Sequence, residues 1–237
     1  MSDVYGVILA GGIGARMGNV EKPKQFLELG GRPILIHTLE KFVLHPGFQG
    51  ILVLTPQAWM SYTRDIIHRY LPSAEGIEVL QGGETRNETV MNAIRYIEKT
   101  GRLTDETIIV THDSVRPFVT HRIIEENIQA AKRCGACDTV IPATDTIVES
   151  REGGCITSIP NRSYMYQGQT PQSFAAKKLK DTYEALSGQE REILTDACKI
   201  MVLQGEKVEL VQGEVFNIKI TYPYDVTVAQ ALLGMEI

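Results

Sequence analysis

GVILAGGIGARMGNVEKPKQFLELGGRPIL, residues 6–35, joins a short apolar run to a glycine-rich turn bearing Arg16, Lys22 and Lys24, and then to a helical pattern opened by Pro33. A strand-length run, a glycine turn and a helix start make the first unit of an α/β fold. Working outward, apolar runs at 50–54, 77–80, 107–110 and 139–141 read as buried strands. Between them, 34–43, 59–70, 89–97 and 123–131 carry apolar residues at helical three and four spacing. The expected architecture is a Rossmann-like, mostly parallel sheet with crossover helices, in one domain over 1–237. Ligands of such sheets sit beyond the carboxyl ends of strands, which directs the functional search to the loops that follow them.

The alternation breaks at 145–166, DTIVESREGGCITSIPNRSYMY, which reads as two short strands around the turn Glu152-Gly153-Gly154. A lone hairpin buries little, so a protruding β-hairpin arm that packs on a second subunit is expected. Helices are expected at 175–186, at 196–202 and after Pro223, with strands at 208–211 and 218–220.

Composition narrows the function classes. The chain has 237 residues, 43% of them hydrophobic, and a net charge of -5, which leaves no basic footprint for nucleic acid. Any anion must be met by a few local cations, which points to a small ligand. No apolar run reaches the roughly 18 residues of a membrane span and no export signal opens the chain, so a cytoplasmic protein is expected. Cys134-Gly135-Ala136-Cys137 has redox or zinc spacing, but it follows a helical pattern and leads into a strand. Cys155 and Cys198 stand apart, and reduced cysteines are expected.

The glycine turn matches neither common nucleotide fingerprint. Gly12, Gly14 and Gly18 are spaced one residue too widely for a dinucleotide loop, and the second strand ends in Leu54-Thr55-Pro56 without the acidic residue that would hold a ribose. No Gly-Lys-Ser/Thr is present either. The turn instead offers backbone N–H groups for a phosphate and adds Arg16, Lys22 and Lys24 around it.

LAGGIGARM and PKQFLELGGRPIL are similar to the signature of nucleotidyltransferases that activate sugar and alditol phosphates. GGETRNETV, HDSVRPF, QTPQSF, LTDA and NIKIT resemble, in order, the motifs of the alditol-phosphate cytidylyltransferases. The resemblance runs from Val7 to Thr221. It implies a nucleotide-diphospho-sugar transferase type of fold, and CMP transfer from CTP to an alditol phosphate with release of pyrophosphate. Ribitol 5-phosphate, a teichoic acid precursor, is the acceptor expected from HDSVRPF, YQGQTPQ and ILTDACKI; the alternative is 2-C-methyl-D-erythritol 4-phosphate of isoprenoid synthesis. A catalytically silent nucleotide-binding protein of the same fold is the reading from another class.

The resemblance also implies residue roles. Arg16 and Lys24 match the cations over the triphosphate, with Arg162 and Lys219 completing the catalytic set. Leu9, Ala10, Gly11 and Gly12, then Gly82, Gly83, Arg86 and Thr89, match positions around the nucleotide. Ser114 stands where methylerythritol enzymes commonly have alanine, and its hydroxyl reaches either the nucleotide or its own backbone. Thr146, Arg162, Thr195 and Lys219 match positions near the alditol phosphate, although Thr195 also suits a helix N-cap. Asp113 matches the aspartate near a Mg2+ ion that bridges the triphosphate. Lys22 lies outside the matching pattern. His112 reads as a packing or hydrogen-bonding residue, since a phosphate nucleophile with a second pKa of about 6 needs no base. A homodimer is implied, with the 145–166 arm crossing to the partner.

Overall fold

The computed structural model describes residues 3–12 and 22–235. Strand β1 (Val4–Leu9) sends Val4 and Ile8 to one apolar cluster and Tyr5 and Val7 to another, as a strand buried on both faces must. It pairs in parallel with β4 (Gly50–Thr55) and β6 (Ile108–Asp113), and β4 pairs in parallel with β5 (Ile77–Gln81). A two-residue pair, β2 (Glu28–Leu29) and β3 (Arg32–Pro33), stands outside this sheet. Helices α1 (Ile34–Val43), α2 (Met60–Tyr70) and α4 (His121–Cys134) cover the first face; α3 (Arg86–Lys99), α5 (Ala176–Ala185) and α7 (Ala197–Leu203) cover the second. The short α6 (Gly188–Glu192) and the closing α8 (Pro223–Leu233) complete the helices among the described residues. None of these helices is long and apolar enough to cross a membrane.

The sheet order among the described residues is β5-β4-β1-β6-β8-β7-β9, with β7 (Ala136–Pro142), β8 (Tyr166–Ala175) and β9 (Glu209–Gln212). The expected α/β sheet is therefore present, but β8 runs antiparallel between β6 and β7. The sequence reading missed β8 because YQGQTPQSFA has neither an apolar run nor alternation. Its polar side chains are buried by pairing with other polar groups. Asn127 of α4 donates from Nδ2 to Ile123 O at 2.9 Å and to Thr139 Oγ1 of β7 at 2.8 Å. Asn127 Oδ1 accepts from Ser173 Oγ of β8 at 3.2 Å, and Thr139 Oγ1 donates to Pro171 O at 2.6 Å.

Two further expectations are corrected. Residues 218–220 form no strand, and Ile220 N–H donates to Val115 O at 3.0 Å. The 145–166 arm rises from the far ends of β7 and β8, but it holds one isolated antiparallel bridge, Glu149 to Ser158, where two strands were expected. Val148, Ile156 and Ile159 along it are 50–61% exposed, so the arm has no core of its own. Cys134 closes α4, Gly135 takes the left-handed cap at φ 82°, and Cys137 is the second residue of β7, where burial pushes its thiol up to about 12.

Asn127→Ala is expected to lower the unfolding free energy by about 2 kcal/mol, because the Ser173 hydroxyl then stays buried without its acceptor. Urea unfolding checks this: the midpoint falls while the slope holds.

Candidate active site

β1 lies where the strand order reverses, between β4 and β6, and a cleft of about 520 Å3 opens beyond the carboxyl ends of β1 and β6. This is the crevice that an open α/β sheet offers a ligand. One wall is Leu9, Gly11 and Gly12, with the two glycines exposed. Gln25, itself 1% exposed, donates from Nε2 to Ala10 O at 2.7 Å and fixes the start of that wall. Gln25 follows Lys24, which is 8% exposed and lines the cleft from a single 3-10 turn, Lys24–Phe26. Phe26 anchors the turn against Trp59 and Tyr62 at ring separations of 5.2 and 5.1 Å. Lys22 turns away, its Nζ 3.3 Å from the Tyr62 hydroxyl. Arg16, with Gly14 and Gly18, lies outside the described residues.

The opposite wall is the GGETRNET loop. Thr85 caps α3 by accepting from Glu88 N–H, and the Glu88 carboxylate accepts from Thr85 N–H in return. The Thr89 hydroxyl donates to Thr85 O at 2.9 Å and accepts from Gly83 N–H at 2.9 Å, so it holds the loop together. At Gly83 a Cβ would lie 2.5 Å from Glu88 Cβ, which leaves room for glycine alone. Gly82, behind it, donates to Thr55 O at 2.9 Å. The loop then places Arg86 at the first position of α3, facing the cleft.

Asp113, the last residue of β6, forms the floor. Arg86 Nη1 lies 2.8 Å from Oδ1, and Lys219 Nζ and Arg116 Nε lie 2.9 and 3.4 Å from Oδ2. Burial by itself would raise this carboxyl; the pull of Arg86, then Lys219, then Arg116 outweighs it and holds Asp113 well below the usual carboxylate range. Arg116 also donates to Asn217 O at 2.8 Å, tying the floor to the segment that carries Lys219. Sequence reasoning gave Arg116 no role, though it stands in the quoted HDSVRPF. Its signal was an arginine three residues past a carboxylate at a strand end. Ser114 lines the cleft, and its hydroxyl makes no hydrogen bond among the described residues.

The structure thus brings Lys24, Arg86, Asp113, Ser114 and Lys219 together, with Leu9, Gly11, Gly12, Gly83 and Thr89 around them. It does not bring Thr146, Arg162 or Thr195 into that lining. Arg162 is exposed at the root of the arm and donates to Thr144 O at 2.7 Å. Thr146 is exposed on the arm, and Thr195 is exposed ahead of α7, whose N-cap is Asp196, accepting from Lys199 N–H at 2.9 Å.

Mg2+ was expected at Asp113, and the donor set does not fit that role. Both carboxylate oxygens already face cations, and no cluster of three His, Cys, Asp or Glu among the described residues could hold an ion. His112 is fully buried; its Nε2 meets Arg116 O at 3.0 Å and its Nδ1 meets Thr170 Oγ1 at 2.9 Å. A carbonyl only accepts, so Nε2 carries the proton and Nδ1 accepts from Thr170, whose oxygen takes the Asp113 N–H at 3.1 Å. His112 therefore sets the backbone at Asp113 and reaches no ligand.

The model of the family IspD, 2-C-methyl-D-erythritol 4-phosphate cytidylyltransferase, matches residues 4–235. Among solved structures, the 4-diphosphocytidyl-2C-methyl-D-erythritol synthase of Anaerococcus prevotii is similar at 27% identity and a TM-score of 0.79, over 99% of this chain and 97% of that one. The 2-C-methyl-D-erythritol 4-phosphate cytidylyltransferase of Francisella tularensis is 26% identical with a TM-score of 0.80, over 97% and 99% of the two chains. That of Thermus thermophilus is 27% identical with a TM-score of 0.71, over 97% and 98%.

Burial lowers the His112 imidazole to about 4, whereas in the unfolded chain it protonates near 6.5. The unfolded state binds the extra proton between those values, so the contribution of His112 is complete above pH 6.5 and is lost as pH falls through 4. The full span is on the order of 3 kcal/mol. Asp138, raised by burial to about 6, contributes in the opposite sense below that pH. The wild-type stability minus that of His112→Asn, measured by urea unfolding from pH 7 to 4, is therefore expected to decline steadily.

Proposed function

This chain belongs to the 2-C-methyl-D-erythritol 4-phosphate cytidylyltransferase family, and we propose that its cleft binds CTP and transfers CMP to an alditol phosphate, with 2-C-methyl-D-erythritol 4-phosphate as the acceptor. It is a CTP-using nucleotidyltransferase. The observation that carries the reading is a cleft where Lys24, Arg86 and Lys219 converge and the nearby histidine is neutral, buried and turned away. Such a site stabilises negative charge and moves no proton.

The reaction requires just that. An oxygen of the acceptor's phosphate attacks the α-phosphorus of CTP in line, the new P–O bond forms as the bond to the β-phosphate oxygen breaks, and pyrophosphate leaves. The acceptor phosphate is largely a dianion at neutral pH and needs no general base. Gly11 and Gly12 leave the phosphates close to the backbone, and Lys24 supplies a compact charge for the α-phosphate oxygens as they gain charge. Arg86 and the Gly82-Gly83 turn flank the nucleoside. Lys219, held by Asp113, is the cation for the acceptor phosphate. Asp113 serves as the hub that orients these cations. A divalent ion of the kind the family uses would supply further positive charge to the triphosphate.

Family and neighbours support methylerythritol phosphate over ribitol 5-phosphate, the acceptor first expected from the motifs. Ribitol 5-phosphate stands as the second reading because Ser114, in place of the commoner alanine, brings into the cleft a hydroxyl without a partner among the described residues. Pyrophosphate release from CTP, measured with each acceptor, tests both. A preference above about tenfold for the branched acceptor is expected, since a site leaves its own polar groups unpaired when the wrong hydroxyl pattern binds. The reverse preference assigns ribitol. In either case Lys24→Ala is expected to lower kcat by roughly a hundredfold, with CTP binding affected less.

The acceptor site is completed across a homodimer in this reading. Thr146 and Arg162 lie on the arm away from the cleft of their own chain, and the arm's exposed apolar residues need a surface to cover them. Mixing inactive Lys24→Ala chains with inactive Arg162→Ala chains is expected to restore activity, because one composite site of each heterodimer then has both cations. Verified heterodimers that stay inactive would remove the crossing arm from this account.

A further inference from the structure

A line of polar side chains leaves the cleft and runs across the sheet strands on the face covered by α3 and α7. Arg86, while bound to Asp113 through Nη1 at 2.8 Å, donates from Nη2 to Gln172 Oε1 at 3.4 Å. Gln172 in turn donates from Nε2 to Asp138 Oδ1 at 3.0 Å. The line thus ends on β7, on a carboxylate outside the cleft lining.

Gln172 is held at both backbone and side chain. It is 2% exposed on β8, its carbonyl accepts from Thr111 Oγ1 at 2.9 Å, and Asp138 is its register partner on β7. The β7–β8 register shifts between Asp138 and Val140, an irregularity of the kind that re-aims a side chain within a ladder. Burial, the largest influence, raises the Asp138 carboxyl to about 6; Gln172 opposes this, Asp196 adds to it, and Arg86 and Cys198 oppose it again. At pH 7 the group is mostly a carboxylate that only accepts. Gln172 must then turn its NH2 to Asp138 and its carbonyl oxygen to Arg86. With the Asp138 side chain absent, the amide is free to rotate and present N–H to a guanidinium that cannot accept.

We infer that Asp138, acting through Gln172, is a positioning residue that holds the plane of the Arg86 guanidinium over the nucleotide cleft. Two contacts fix a planar fork where one leaves it free to pivot. The inference rests on the reading of the cleft as a CTP site. Asp138 touches no ligand, so its effect is on the placement of Arg86 and not on the reacting atoms.

The test uses the full chain as wild type, Asp138→Ala, Asp138→Asn and Gln172→Leu, each checked for folding by circular dichroism and its urea midpoint. CTP affinity is measured by titration calorimetry, and kcat and KM by pyrophosphate release. Asp138→Ala and Gln172→Leu are expected to weaken CTP binding and raise its KM about five- to tenfold, with kcat changed less than about twofold. Asp138→Asn keeps an acceptor oxygen and is expected to stay within about twofold of wild type, and Gln172→Leu keeps the bulk while removing both contacts, so its weakened binding is what a loss of packing would not predict. Wild-type affinity in folded Asp138→Ala overturns the relay; so does an Asp138→Asn variant as impaired as Asp138→Ala. If Gln172→Leu fails to fold, the two Asp138 variants decide. A wild-type protein that does not bind CTP overturns the cleft reading itself, and the relay with it.

Discussion

The carboxylate of Asp113 is the point on which the site depends. It draws Arg86 from the start of α3, Arg116 from the turn after β6 and Lys219 from the segment before α8 onto two oxygens. Three cations gathered without it would repel one another in a partly dry cleft; one buried anion lets them stand within a few ångströms while leaving net positive charge toward the ligand. The chain as a whole is acidic, at -5, so this local inversion of sign is what makes an anion site on an anionic protein. The neutral His112 and Thr170 beneath it fix the backbone of the same aspartate, and Asn217 ties Arg116 to β8 by donating to Thr170 O at 2.9 Å.

Most of the frame was legible because apolar runs and helical spacing are read by the same burial that forms them. The strands at 4–9, 50–55, 77–81 and 108–113 and helix α1 at 34–43 came out close to their observed bounds. What escaped was structure held by polar pairing. β8 is a ten-residue strand in the middle of the sheet, yet its buried glutamines, threonine and serine carry no hydrophobic period. In the arm, by contrast, two short runs around the turn Glu152-Gly153-Gly154 suggested strands; with no second layer to pack on, the segment keeps a single bridge.

The site was legible residue by residue but not in its wiring. Lys24, Arg86, Asp113 and Lys219 were all named, and all four line one cleft. Their interdependence was invisible, because ion pairing across 27 or more positions leaves no trace in spacing. Asp113, read as lying near Mg2+, also has both oxygens on cationic side chains, and the Thr89 hydroxyl, read toward the nucleotide, also closes its own loop. Gln25 and Arg116 were missed as functional supports for the same reason: each acts through a main-chain atom or a neighbour, not through the ligand.

The position of β8 has a consequence for how the chain is assembled during synthesis. β1, β4, β5 and β6 are complete by residue 113 and can pair in parallel as soon as they leave the ribosome, each joined to the next by local crossovers. β6 then presents its other edge, unpaired, for the more than fifty residues that precede β8. β7 is made first yet ends up farther out, so it cannot take that edge and must wait for β8 to come between them. The arm, placed between these two strands, is therefore translated before the edge beneath it is closed. An exposed strand edge invites pairing with other chains, and in this protein the period of greatest risk falls while the arm is emerging.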